Sequence, residues 1–168
     1  MKFIFIIIIG IFLNCTSEMN EYERAFRDNN ISELKLLLEK FDKIDNYKND
    51  KGNTILHEAI SYNRYEMANL IISKNKNIVN KKNKFNESPL YYAVTYSNIE
   101  CAELLLNNGA ALNEMNGKLR EFTPIASAVT YSFLGGKRKE MIKLLLKYKP
   151  DLNMHVKIYS GEKVVREN

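Results

Sequence analysis

Asn49-Asp50-Lys51-Gly52-Asn53-Thr54-Ile55-Leu56-His57-Glu58-Ala59 decides the fold, because it comes back. Asn83-Lys84-Phe85-Asn86-Glu87-Ser88-Pro89-Leu90-Tyr91-Tyr92-Ala93 repeats it 34 residues later, and Phe122-Thr123-Pro124-Ile125-Ala126-Ser127-Ala128 repeats its core 35 residues after that. Working outward, Ala25, Ala59, Ala93 and Ala128 lie 34, 34 and 35 apart. Behind them come ELKLLLEK (33–40), MANLIISK (67–74), CAELLLNN (101–108) and EMIKLLLK (140–147), with apolar residues at helical spacing. Leu36, Leu70 and Leu104 lie 34 apart and Leu144 lies 40 further on, so extra residues sit between the last two units, around Gly135-Gly136. A fixed period of this length is the mark of a stacked array of helical units.

The local chemistry supports helix pairs. Thr54, Ser88 and Thr123 are helix N-caps by type, and Pro89 and Pro124 then take the first helical position, where a missing N–H costs nothing. Gly52, Asn63 and Asn86 stand where the backbone must turn left-handed, which Gly does freely and Asn tolerates. The quoted motif resembles the ankyrin repeat opening D-x-x-G-x-T-P-L-H-x-A, with Ile55 in place of Pro, and Leu104 to Asn113 is similar to the repeat's closing. The resemblance implies an all-α ankyrin repeat solenoid of helix-turn-helix units joined by β-hairpin-like loops. It has about four repeats, over 20–48, 49–82, 83–115 and 116–153, the first a degenerate N-terminal cap. One unit has too little core to fold alone, so stacking supplies the stability. Only Gly109 keeps the helix-stop glycine. Of its replacements Phe41, Asn75 and Lys149, Asn75 is the one expected to be left-handed. The tail 154–168 is open to two readings, a hairpin-like flap on the last unit or disorder.

The chain starts MKFIFIIIIGIFLNC. Residues 3–13 are apolar except Gly10, too short for the roughly 18 to 20 residues of a membrane span and the length of a signal-peptide core. Phe12-Leu13-Asn14-Cys15 resembles a relaxed bacterial lipobox, with Asn14 where a small residue is usual. That implies a signal peptide over 1–14, a lipid on Cys15 and a short tether over 15–19. The expected location is the cell envelope, lipid-anchored at the periplasmic face or outer membrane; the alternative is a soluble periplasmic or secreted protein.

The 25 Lys and Arg against 20 Asp and Glu give a net charge of +5, which by itself points toward nucleic acid or a membrane surface. The leader removes Lys2 and takes the rest out of the cytosol, so no nucleic-acid partner is expected. High Asn, Lys, Ile and Tyr, with only six Arg, resembles AT-rich coding rather than chemistry. His57 and His155 are far apart, so no metal or other cofactor is expected. Gly135-Gly136-Lys137-Arg138-Lys139 lacks the first Gly and the hydroxyl residue of a phosphate loop, which leaves a solvated insertion able to touch a partner. Cys101 lies on a helix face as a core thiol. No nucleophile and base pair falls within one unit or between neighbours, so neither catalysis nor a small-molecule substrate is expected.

What remains is surface. By the resemblance, a concave face of hairpin tips and first helices binds a protein partner. Tyr62, Tyr96 and Tyr131, spaced 34 and 35, form a ladder on it, with Glu58, Tyr92 and Ser127 beside them and Lys51, Lys84, Phe85 and Arg120 at the tips. Tyr and Arg are the types over-represented at binding hot spots. The same tyrosines could equally pack against one another across repeats. The expected function is a non-enzymatic, monomeric, membrane-anchored binding protein. The rivals are an envelope inhibitor, immunity or accessory protein for one enzyme, and an enzyme with an unrecognised site.

Overall fold

The computed structural model describes residues 21–40, 47–117, 120–130, 137–153 and 157–158, with backbone alone at 120–121 and 157–158. Helices α1 (21–27) and α2 (Ile31–Lys40) form the first pair, α3 (Ile55–Ser61) and α4 (Tyr65–Lys74) the second. The third is α5 (Pro89–Thr95) with α6 (Ile99–Asn107), and the fourth α7 (Pro124–Thr130) with α8 (Arg138–Lys147). Helices α3, α5 and α7 pack side by side as an inner row, and α2, α4, α6 and α8 as an outer row. The fold is the expected all-α solenoid, and its core is the seam between the rows. Ala25, Ala59, Ala93 and Ala128 are fully buried there, among Phe26, Leu34, Ile60, Met67, Ile71, Leu105 and Met141.

The alanines also close the turns. The N–H groups of Asn30, Arg64 and Asn98 reach back to the carbonyls of Ala25, Ala59 and Ala93 at 2.9, 2.8 and 2.8 Å. The residue before each, Asn29, Asn63 or Ser97, is left-handed, with φ of 52, 55 and 55°. This six-to-one bond with a left-handed residue is the Schellman closure. It repeats every 34 residues, and each closing residue is also the start of the outer helix.

The same residues join neighbouring units. The last carbonyls of a helix have no partner within it and carry partial negative charge. Arg64 donates through Nε and Nη2 to the carbonyls of Phe26 and Arg27 at 2.8 and 2.9 Å. Asn98 donates to Ile60 at 3.3 Å, and Arg138 donates to Val94 and Thr95, both at 2.9 Å. The first helix of each of the first three pairs is thus clamped by the next unit's outer helix.

The hairpins turn on side chains. Asn49 Oδ1 accepts from the N–H groups of Lys51 and Asn53, and Asn83 Oδ1 from those of Phe85 and Glu87, all at 2.9–3.0 Å. Gly52, at φ +73°, lies so close to the next hairpin that a Cβ there would come within 2.7 Å of Lys84 Cγ. Asn86 and Asn63 are left-handed as expected.

Two details differ from the sequence reading. Asn75 is extended, φ −151°, because its side chain accepts from the Asn77 N–H and starts a 3-10 turn over Lys76–Asn80. Lys149 instead takes the left-handed position, φ 54°, before Pro150 forbids further helix. In the tail, Lys157–Ile158 pairs antiparallel with Arg120–Glu121 of the last hairpin. The rest of the tail, the insertion at 131–136 and residues 1–20 lie outside the described residues.

Replacing the buried Arg138 by Met should cost about 2 kcal/mol, since it removes charge-assisted bonds to two carbonyls. Urea unfolding of Arg138→Met beside Arg138→Lys checks this; equal stability of Met and wild type would show that the clamp carries nothing.

Candidate protein-binding face

The inner row begins at the hairpins, where buried polar groups form a chain. Glu58 accepts from Asn49 Nδ2 and Asn53 Nδ2 at 2.8 and 2.9 Å. Asn53 Nδ2 also reaches Tyr92 Oη at 3.1 Å, and Asn83 Nδ2 bridges Asn53 Oδ1 and Glu87 Oε2 at 2.9 and 2.8 Å. The hairpins are therefore tied side chain to side chain across two units. Burial pushes the Glu58 carboxyl and the Tyr92 phenol above their ordinary values, partly offset in each by the bond to Asn53.

This corrects three of the expected face residues. Glu58 and Tyr92 are each only 7% exposed and Ser127 is 0% exposed. Helical register put them beside the tyrosine ladder, but the hairpin asparagines fold over that position and draw Glu58 and Tyr92 inward. Ser127 stands at the same register, and among the described residues its Oγ has no hydrogen-bond partner.

The ladder positions that are described do reach the surface. Tyr62 is 39% and Tyr96 55% exposed, at the C-terminal ends of α3 and α5. Each is backed by another ring. Tyr62 stacks on Phe26 of the preceding unit at 6.3 Å, and Tyr96 tilts against Tyr92 at 5.4 Å. Phe85 is 46% exposed at a hairpin tip, and Lys51 and Lys84 are exposed at neighbouring tips. Tyr131 and Cys15 lie outside the described residues, and Arg120 is described in backbone only. Asn53, Asn83 and Arg64 were not singled out as functional, although the 34-residue recurrence of Asn at 49 and 83 signals a shared structural duty.

His57 is the most constrained group. Its Nδ1 accepts from the Thr54 N–H at 3.2 Å and lies 2.8 Å from Thr54 Oγ1, so Nε2 carries the proton and donates to the Glu87 carbonyl at 3.1 Å. Burial lowers its pKa to about 4, against a smaller raising effect of the Glu87 carbonyl. The imidazole links a helix cap to the next hairpin. Burial pushes the Cys101 thiol up to about 12, which leaves it protonated and inert. Among the described residues no group of three or more His, Cys, Asp or Glu could hold a metal ion, and no helix is long and apolar enough to cross a membrane.

Helix pairs stacked in two rows, with a row of hairpin loops and outward-facing rings at fixed register, define a helical repeat solenoid of the binding type. A profile of ankyrin repeats in three copies matches residues 24–82 and 75–156, and the chain belongs to the ankyrin repeat family. Among curated proteins no match was found. Ankyrin repeats mediate protein–protein interaction and are in general non-enzymatic.

The folded chain holds His57 neutral well below the pH at which the unfolded chain protonates it. Between roughly pH 6.5 and 4 the unfolded state binds the extra proton, so stability falls by about 3 kcal/mol as pH drops through that window. Glu58, with its raised pKa, acts in the opposite sense and loses stability as pH rises. Denaturant titrations of wild type and His57→Gln at pH 7 and 4 separate the two: the stability advantage of wild type should shrink at pH 4. A constant advantage would mean that the folded imidazole is charged.

Proposed function

We propose that the chain is a non-enzymatic binding protein, held at a bacterial envelope by lipid on Cys15, that presents its inner row to a protein partner. The observation that carries the binding face is the pair Tyr62 and Tyr96. These are exposed rings at the same register on adjacent units, each braced from behind by a second ring. A braced ring buries much area on contact and loses little rotamer freedom. Lys51, Lys84 and Phe85 extend the face along the hairpin tips. Support for the anchor is the apolar run at 3–13 followed by Cys15. Five tether residues, 15–19, reach at most roughly 15–20 Å, so the array stands close to the bilayer.

Tyr96→Ala should weaken partner capture from envelope extracts about 30-fold, equivalent to about 2 kcal/mol, while moving the melting temperature by only a few degrees. Tyr62→Ala should lower both, because its ring also packs on Phe26. Equal loss of capture and of melting temperature in Tyr96→Ala would assign the ladder to packing.

For the anchor, metabolic fatty-acid labelling of the wild type should disappear in Cys15→Ala. Labelling that persists would remove the lipoprotein assignment.

A further inference from the structure

At the end remote from the hairpins, the inner row opens into a small pocket of about 370 Å³. One wall is the α3–α4 turn, with Ile60, Ser61 and Asn63; the other is the α5–α6 turn, with Tyr96 and Ser97 over Asn98. Lys137, the N-cap residue of α8, stands at the rim. Ligand pockets run from roughly 300 to 1,000 Å³, so this one has room for one or two side chains rather than a cofactor.

Its polar groups divide into spent and unspent. Asn98 is spent, since Oδ1 accepts from the Cys101 N–H and Nδ2 donates to Ile60. The Ser61 hydroxyl donates to the Glu58 carbonyl at 2.9 Å, and the N–H groups of Asn63, Ser97 and Asn98 close the turns. Among the described residues the Asn63 amide, the Ser97 hydroxyl and the Lys137 ammonium have no hydrogen-bond or ion-pair partner. All three can donate, and Lys137 is the one charged group among the described residues of the lining. The half-exposed ring of Tyr96 supplies a flat apolar wall. Lys137 does not drift, because the next residue, Arg138, is clamped to the carbonyls of Val94 and Thr95 at the end of α5.

We infer that this pocket receives a carboxylate side chain, Glu or Asp, from an extended segment of the protein partner, its methylenes against Tyr96 and its oxygens at Lys137, Asn63 and Ser97. The inference rests on the reading of the inner row as the binding face and names the chemistry that one end of it selects. Lys137 is exposed, so water and salt screen the pair, and its loss should weaken binding about threefold to fivefold rather than abolish it.

The test uses the full chain in detergent micelles, followed by amide resonances. One probe is an acetylated, amidated peptide of sequence Ser-Glu-Ala-Glu-Ser. The second carries Gln for both Glu, and the third is inorganic phosphate. The acidic peptide should shift the amides of Asn63, Ser97 and Lys137, the Gln peptide should not, and Lys137→Ala and Lys137→Gln should both reduce the effect. Equal shifts by both peptides, shifts centred on Lys51 and Lys84, absence of shifts, or phosphate binding as tightly as the acidic peptide would each overturn the assignment. Partner capture separates the two levels: loss in Tyr96→Ala with full retention in Lys137→Ala removes the carboxylate pocket and leaves the face.

Discussion

A carbonyl at the end of a helix has no partner in its own helix, and in this chain that deficit is what holds the units together. The inner helices are two turns long, so a large share of their carbonyls is terminal. Arg64, Asn98 and Arg138 each start an outer helix and each donate to the end of the inner helix one unit back. At Arg64 and Arg138 the interaction combines a hydrogen bond with a favourable charge at the negative end of a helix, while Asn98 supplies a neutral bond. It also fixes where the inner helices end, and hence where Tyr62 and Tyr96 emerge.

The opposite end of the row is held by a different chemistry. There Glu58, Asn53, Tyr92, Asn83 and Glu87 bond to one another with little access to water. In such surroundings each bond is stronger and each missing partner more costly than at the surface. His57 adds a bridge from the Thr54 cap to the Glu87 carbonyl, and it does so only while neutral. The inner row lies between the clamps on the helix ends and the polar belt of the hairpins, and both ends resist tilting of one unit against the next.

Much of this was legible in the chain itself. The Thr, Ser and Pro caps and the left-handed Asn63 and Asn86 follow from local rules that act within a few residues, and the four alanines from the 34-residue recurrence. Glu58 and Tyr92 were misplaced because register tells which way a helix position points and not what folds over it. What covers them arrives from hairpin residues, Tyr92 taking its bond from Asn53, 39 positions away. The Arg64 and Arg138 clamps were invisible for the same reason, as their acceptors lie 37 to 44 residues upstream and are backbone atoms that any residue could supply. Asn75 and Lys149 show the limit of propensity: an asparagine side chain found a cap to make, and a lysine took the strained conformation because the following proline left no helix to continue.

The clamps all point the same way along the chain. Arg64 reaches back to the first pair, Asn98 to the second and Arg138 to the third. As the polypeptide leaves the ribosome, each new outer helix therefore finds its acceptor already made, and no joint of this kind waits for sequence still to come. Loss of units from the C-terminal end takes donors and leaves carbonyls that water can satisfy. Loss from the N-terminal end would strand a guanidinium with nothing to hold, so the array is built to be read, and shortened, in one direction.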